Sequence, residues 1–130
     1  MRTSLVCREH GAAVVDFVLV MVLLVPIVLG IAQVALVLHV RNTLSSAASE
    51  GARASAPLDA TPADGAARTR LMIRQALADH YADDVSAAWT TIGGLSATAV
   101  VVHARVPALG LLGPSVSLTV RGHAIRDIAP

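Results

Sequence analysis

The sequence has one cysteine, few aromatic residues and almost no net charge. Because Cys7 is the only cysteine among the 130 residues, no disulfide can form within the chain and no cysteine cluster can bind zinc. Aromatic residues make up 2% of the chain, and the formal net charge is +1. A nearly neutral chain lacks the electrostatic signature of a nucleic-acid-binding protein, so we expect no nucleic-acid partner.

Patterns typical of active sites are also missing. There is no serine–histidine–aspartate or cysteine–histidine arrangement for nucleophilic catalysis, and no glycine-rich loop for binding phosphate. His103 and His123 are expected to pair on a sheet surface, not to bind a metal. A group of charged side chains is expected to be the solvated end of a helix: Asp79, His80, Asp83 and Asp84. We therefore expect no enzyme activity, no catalytic residues, no cofactor, no metal site and no small-molecule substrate.

A long apolar run near the N-terminus is the strongest feature that is present. Within residues 12–40 the only non-apolar side chains are Asp16, Gln33 and His39. A membrane-spanning helix needs about 20 apolar residues, so the run predicts one transmembrane helix at about residues 14–38. A secretory signal has a shorter apolar core, which favours a retained anchor in the lipid bilayer.

Pro26 lies in the middle of this run. Proline is tolerated in membrane helices because neighbouring groups can satisfy the carbonyl that it frees, so we expect a kink at Pro26 and not a helix end. Charge does not decide the orientation of the helix. Arg2 and Arg8 on one side are nearly balanced by Arg41 and Arg53 on the other.

The rest of the chain predicts a small α+β domain. The long helix is expected to occupy residues 12–56 and to be followed by a linker at 57–62 and a domain at 63–130. Thr61 can cap a second, short helix. Alternating and β-branched patterns predict a small antiparallel sheet of two or three strands: Ser96–Val106, Val116–Ile125 and, if there are three, Val85–Ile92, with a turn at Gly93–Gly94.

An apolar loop connects the last two strands at residues 107–114. Its leucines, Leu109, Leu111 and Leu112, could form an exposed apolar contact. Burial in the core of the domain is the favoured alternative.

Asp16 is unusual because a carboxylate in an apolar run is costly. One interpretation places Asp16 at the level of the lipid headgroups, where the cost is small. The other requires a partner charge. If the chain were cleaved after Gly11, the new amine of Ala12 would lie one helical turn from Asp16, or a neighbouring subunit would supply its own amine.

Residues 8–17 resemble the N-terminus of a type IV prepilin. The pattern is a short polar leader, then Gly11, four small or apolar residues, an acid at the fifth position and an aromatic residue, here Asp16 and Phe17. The family usually has glutamate where this chain has Asp16, and aspartate keeps the charge.

Residues 41–53 closely resemble the helix continuation of TadE-like proteins, which are pseudopilins of the tight-adherence (Flp) pilus system. Glu50, Gly51 and Arg53 belong to the most recognisable part of this stretch. Pro26 after an apolar block, and Gly30 followed by Gln33, also fit that family.

The resemblance implies a function in pilus assembly, for adhesion or secretion. It implies that residues 1–11 are a cytoplasmic leader, that a prepilin peptidase cleaves between Gly11 and Ala12, and that the C-terminal domain lies outside the cytoplasm. Other pilins and Tad membrane assembly proteins would be the partners. The alternative is a single-pass interaction module that stays in the membrane of a secretion system. Glu50 and Arg53 would form either a local ion pair or a packing face against another pilin.

Overall fold

The computed structural model describes the backbone of residues 6–109 and 113–128, and the side chains in these ranges from Gly11 onward. The elements are α1 (Val6–Ala54), α2 (Pro62–Ala76), a short 3-10 helix (Asp79–Ala82), β1 (Asp84–Ile92), β2 (Leu95–Val106) and β3 (Val116–Ile125). The predicted α+β arrangement of a long apolar helix, a short helix and a small antiparallel sheet is confirmed. The predictions for the start of the leader, residues 1–5, and for Leu111 and Leu112 lie outside the described residues.

Helix α1 has 49 residues and is therefore about 73 Å long at 1.5 Å per residue. It continues through Pro26 as one helix and ends at Ala54. It is long and apolar enough to cross a membrane, with a mean hydropathy of 2.9 in its most apolar window, none of which is buried within the chain. From Val40 onward, by contrast, one face of α1 is buried under the small domain.

The three strands form an antiparallel sheet in the order β1-β2-β3. A two-residue turn joins Ile92 to Leu95, which are paired across the hairpin. Gly93 and Gly94 have φ angles of 58° and 83°. Turns with two positive φ angles match the twist of a hairpin, and glycine adopts them without steric cost. The turn predicted from the glycine pair is thereby confirmed.

Strand β3 shows the alternation that its sequence predicts. Val120 is buried and Val116 and Leu118 are half-buried, whereas the residues between them are exposed. The apolar face of the sheet packs against α1 and α2. Together they form the core, whose largest fully buried apolar side chains are Val40, Leu44, Ile73, Val100, Val102 and Val106.

Helix α2 begins with a complete capping box. The Thr61 hydroxyl accepts a hydrogen bond from the Asp64 backbone N–H at 3.4 Å and donates one to the Asp64 carboxylate at 2.7 Å. The carboxylate also accepts one from the Thr61 backbone N–H at 2.8 Å. Pro62 occupies the first turn, where its missing N–H costs nothing. The predicted cap at Thr61 is confirmed.

Helices α1 and α2 pack closely because both carry a glycine at their crossing. A β-carbon on Gly51 would lie 2.6 Å from the carbonyl oxygen of Gly65 and would collide with the hydroxyl of Thr69. That hydroxyl is buried, and its one hydrogen is shared between the carbonyls of Gly65, at 2.9 Å, and of Ala47, at 3.3 Å. The crossing therefore has no space for a side chain on Gly51.

Strand β3 lies equally close to α1. A β-carbon on Gly122 would collide with the backbone of Ala48 and would lie 2.5 Å from the backbone nitrogen of Ser49. Beyond the strand, the backbone N–H of Asp127 donates to the carbonyl of Ala56 at 2.9 Å. These contacts hold β3 along α1, and the strand and the helix run in the same direction.

Two predictions about side chains are corrected by the tertiary packing. His103 does not pair with His123, because the strand register sets His103 opposite Thr119 and His123 opposite Ala99. His103 Nδ1 and Thr119 Oγ1 share a hydrogen bond of 3.0 Å. Leu109 is 42% exposed, so burial in the core is wrong for this leucine.

The substitution Gly51→Ala tests the helix crossing. Alanine normally favours a helix over glycine by about 1 kcal/mol, but here the added methyl group meets backbone atoms that cannot move away alone. We expect a loss of about 2–3 kcal/mol in the free energy of unfolding, as for overpacked cores. Urea denaturation of the full chain in detergent micelles, followed by the fluorescence of Trp89, the only tryptophan, measures it. Gly30→Ala is the matched control, since a β-carbon at Gly30 would have no atom within 4 Å, and it should cost nothing.

The capping box predicts an acid-dependent loss of stability. The hydrogen bond from the Thr61 hydroxyl, and then that from its backbone N–H, lower the pKa of Asp64 below the ordinary value of 3.8. A carboxylate with a lowered pKa stabilises the folded state above its unfolded pKa, and the contribution is lost as pH falls through the folded-state pKa. In the same denaturation assay between neutral pH and pH about 2, Asp64→Asn should lack this acid-dependent part. Asp59→Asn, which removes an exposed carboxylate of the linker, should retain it.

Candidate functional site on the long helix

The predicted cleavage and registration residues lie on the exposed first part of α1. Gly11, Ala12 and Asp16 are exposed, and Phe17 is 61% exposed. The helix runs from Val6 through the bond between Gly11 and Ala12 without interruption. Apart from its chain neighbours and the helix's own backbone, no atom of the described residues lies within 4 Å of a β-carbon built on Gly11, so the described packing does not require glycine there.

Asp16 is the one acidic residue between Glu9 and Glu50 in the sequence. It follows Ala12 by four positions in a continuous helix. Side chains with this spacing share one face, with about 5–6 Å between their β-carbons. An amine on Ala12 would therefore lie within the range of a direct electrostatic interaction with Asp16.

The surface around Asp16 is apolar along the whole first part of the helix. Large apolar side chains point outward on every face of it, as Val14, Leu19, Leu23, Ile27 and Ile31 illustrate with exposed fractions between 51% and 69%. Transferring each such side chain from water to an apolar environment is worth about 1.5–3 kcal/mol. This half of α1 therefore requires lipid or other apolar helices around it.

Pro26 lies in the middle of this apolar surface. Because proline has no N–H, the carbonyl of Val22, four positions earlier, loses its helical partner. The kink expected at this position remains a prediction.

Glu50, Gly51 and Arg53 lie at the other end of α1. Gly51 is buried against α2 within the same chain, Glu50 is half-buried and Arg53 is exposed. A packing face against another protein can thus include Glu50 and Arg53 but not Gly51. Asp16 and Gly51 are about 50 Å apart along the helix at 1.5 Å per residue, so the fold keeps the two predicted sites separate.

Gln33 was not among the predicted site residues, although it stands out as an amide in the apolar run. Its Nε2 donates to the carbonyl of Pro107 at 3.2 Å, and its Oε1 accepts a hydrogen bond from the backbone N–H of Leu109 at 2.7 Å. The signal in the sequence was the isolated amide itself. Its partners lie more than 70 positions away, and no local pattern identifies them.

Arg126 also emerged only from the structure. Its guanidinium lies over the ring of Trp89, 4.8 Å from the centroid, and donates to the carbonyl of Leu58. Arg126, directly after β3, therefore contacts both β1 and the linker between the two helices.

The described part of the chain contains no group of three or more histidine, cysteine or acidic side chains that could hold a metal ion. His80, Asp83, Asp84 and His103 line one shallow, open depression at the end of the sheet. The candidate functional site is therefore the long helix, which has an exposed apolar half and a half that is buried under the small domain.

Comparison with known proteins also identifies α1 as the recognisable part of the chain. A family model described as TadE-like protein matches residues 11–53, which corresponds to α1 from Gly11 to its last turn and excludes α2 and the sheet. Searches of curated proteins and of solved structures found no match. The resemblance predicted from the sequence is thereby confirmed for the long helix: residues 11–53 are TadE-like.

Proposed function

We propose that this protein is a minor pilin or pseudopilin of a tight-adherence pilus, a substrate of a prepilin peptidase and not itself an enzyme. The observation that carries the proposal is the helix α1, which presents an exposed apolar half with a single acid, Asp16, five positions after Gly11. The TadE-like match over residues 11–53 supports a role related to the Tad pilus system in general.

The apolar half of α1 suits both a membrane and a fibre. A helix that is apolar on all faces can be surrounded by lipid before assembly. The same surface can be surrounded by the helices of other subunits after assembly. In this proposal the membrane stores the subunit, with its N-terminus in the cytoplasm and its domain on the other side, until Tad membrane assembly proteins and other pilins draw it into a pilus.

Asp16 supplies a reason for subunits to pack at a defined stagger. In the centre of a bilayer a carboxylate costs about 2.5–3.5 kcal/mol on insertion scales, and an adjacent positive charge offsets such a cost. Cleavage after Gly11 creates that charge on Ala12. The pair can form within one chain or between neighbouring chains, and the second arrangement sets the position of one helix along the next.

The close packing of the domain on α1 supports the same role. Gly51 meets α2 and Gly122 meets α1 with no space for a side chain, and the core residues Val40 and Leu44 are fully covered. A domain fixed in this way follows the helix when subunits pack side by side. The sheet would then face outward from a shaft built of α1 helices.

The alternative is a membrane-anchored interaction module that never enters a fibre. It uses the same anchor and the same domain, but needs neither cleavage at Gly11 nor a partner for Asp16. The N-terminal residue of the mature protein distinguishes the two functions.

The substitution Gly11→Val tests processing. With a working peptidase, the wild-type protein should begin at Ala12, and Gly11→Val should keep its leader because the glycine before the cleaved bond is missing. Intact mass and N-terminal sequencing of the protein purified from the membrane fraction measure this. Gly30→Val is the matched control, since this second helical glycine also has open space around it, and it should be processed normally. A wild-type protein that retains Met1 in such cells contradicts the pilin proposal.

The substitution Asp16→Ala tests the pairing of charges. It should be cleaved after Gly11 but should enter sheared pili several-fold less than wild type, because the amine of Ala12 loses its carboxylate. Asp16→Glu is the control that keeps the charge and should assemble. Normal assembly of Asp16→Ala would remove the proposed amine–carboxylate pair. The ratio of subunit in sheared pili to subunit in membranes, by quantitative immunoblotting, is the measurement.

A further inference from the structure

The loop between β2 and β3 is held against the part of α1 that is apolar enough to be inside a membrane. Gln33 makes both of its hydrogen bonds to this loop, at Pro107 and Leu109. In the sequence, Gln33 is preceded by sixteen apolar residues after Asp16 and lies eight positions before Arg41, the first charge beyond it. At 1.5 Å per residue, Gln33 is about 26 Å from Asp16 and about 12 Å from Arg41.

These lengths place the loop at the edge of the hydrocarbon. The apolar core of a bilayer is about 30 Å thick, so a span that starts near Asp16 ends just beyond Gln33. The loop contacts α1 at that level. Other contacts of the domain lie farther along the chain: Leu36 and Val37 are partly buried against the core, Gly122 meets α1 at Ala48, and Asp127 bonds to Ala56 just beyond the helix.

The loop also has the chemistry of a lipid-facing segment. No charged side chain occurs between Arg105 and Arg121 in the sequence. Leu109 is 42% exposed and is not part of the core of the domain. An exposed apolar side chain beside a membrane-spanning helix is typical of segments that insert into the interface between headgroups and acyl chains.

The two hydrogen bonds of Gln33 satisfy part of the irregular backbone at residues 107–109. Near hydrocarbon, a backbone N–H or C=O without a partner is strongly disfavoured. Pro107 has no N–H, its carbonyl is bonded to Gln33 Nε2, and the N–H of Leu109 is bonded to Gln33 Oε1. The amide of Gln33 thus satisfies two polar groups of the loop and has its own oxygen and nitrogen satisfied in return.

We propose that residues 107–109 are a membrane-contact element, which Gln33 holds at the boundary between hydrocarbon and headgroups on the domain side of the bilayer. The occupant of this surface is lipid. The element sets the depth at which α1 is held and the height of the domain above the membrane. The proposal requires only that α1 spans a bilayer, so it applies to a pilin before assembly and to a resident membrane module alike.

Fluorescence quenching by spin-labelled lipid tests the proposal on the full chain. In a Cys7→Ser background, Leu109→Cys is labelled with an environment-sensitive fluorophore and placed in phospholipid nanodiscs with less than one chain per disc on average. Two lipid mixtures are used: one carries a nitroxide close to the headgroup and reports on Leu109 and Leu95, and the other carries a nitroxide deep in the acyl chain and reports on Val22. Leu95→Cys is the matched control, because Leu95 has the same exposed fraction of 42% at the opposite end of the sheet. Val22→Cys, in the exposed apolar half of α1, reports that the helix is inserted.

We expect a blue-shifted probe at Leu109 that is quenched several-fold more strongly than the probe at Leu95. Equal, weak quenching at Leu109 and Leu95, with strong quenching at Val22, would overturn the proposal, because the loop would then be in water. A blue shift at Leu109 without lipid quenching would also overturn it, since protein and not lipid would cover the loop. Either result would leave the pilin function untouched, because cleavage at Gly11 is measured separately.

Gln33→Leu tests whether the amide holds the loop. This variant removes both hydrogen bonds but keeps the helix apolar, so the quenching at Val22 should not change while that at Leu109 falls several-fold. Asn42→Leu is the matched control, since Asn42 is an exposed amide of α1 without a hydrogen bond to residues 107–109, and it should leave the quenching at Leu109 unchanged. Undiminished quenching at Leu109 in Gln33→Leu would refute the role of Gln33.

Discussion

One helix must satisfy two environments, and the structure depends on how α1 is divided between them. Its first part is apolar on every face and exposed, whereas its second part is the central element of a folded domain. The second part can be buried because two glycines leave space for close packing. Gly51 of α1 lets α2 approach, and Gly122 of β3 lets that strand approach the backbone of α1. A bulkier residue at either glycine would separate the domain from its own core.

The small domain shares its core with α1. A three-stranded sheet and one short helix bury little surface on their own, and much of the core is contributed by α1, with Val40, Leu44 and Ala48 fully covered. The second part of α1 and the domain therefore form one packed unit. The orientation of the sheet therefore follows from the orientation of this part of the helix.

Polar groups mark the limits of the apolar half of α1. Asp16 lies near one end, where a new amine on Ala12 would be within one helical turn. Gln33 lies near the other end, where the loop at Pro107 and Leu109 satisfies its amide. Between them the sequence contains only apolar side chains. The distance between the two polar residues is close to the hydrocarbon thickness of a bilayer. Asp16 contributes a carboxylate at one end, and Gln33 contributes a contact to the domain at the other.

The sequence by itself determined the membrane helix, the strands, the glycine turn and the cap at Thr61, because apolar periodicity, φ-angle preference and capping act between residues that are close in the chain. Only the tertiary structure decided the partners of Gln33, the burial of Gly51 against α2, the exposure of Leu109 and the pairing of His103 with Thr119. Those outcomes depend on how the sheet docks along α1 and on its register. Both are set by packing between residues far apart in sequence, which no local pattern records.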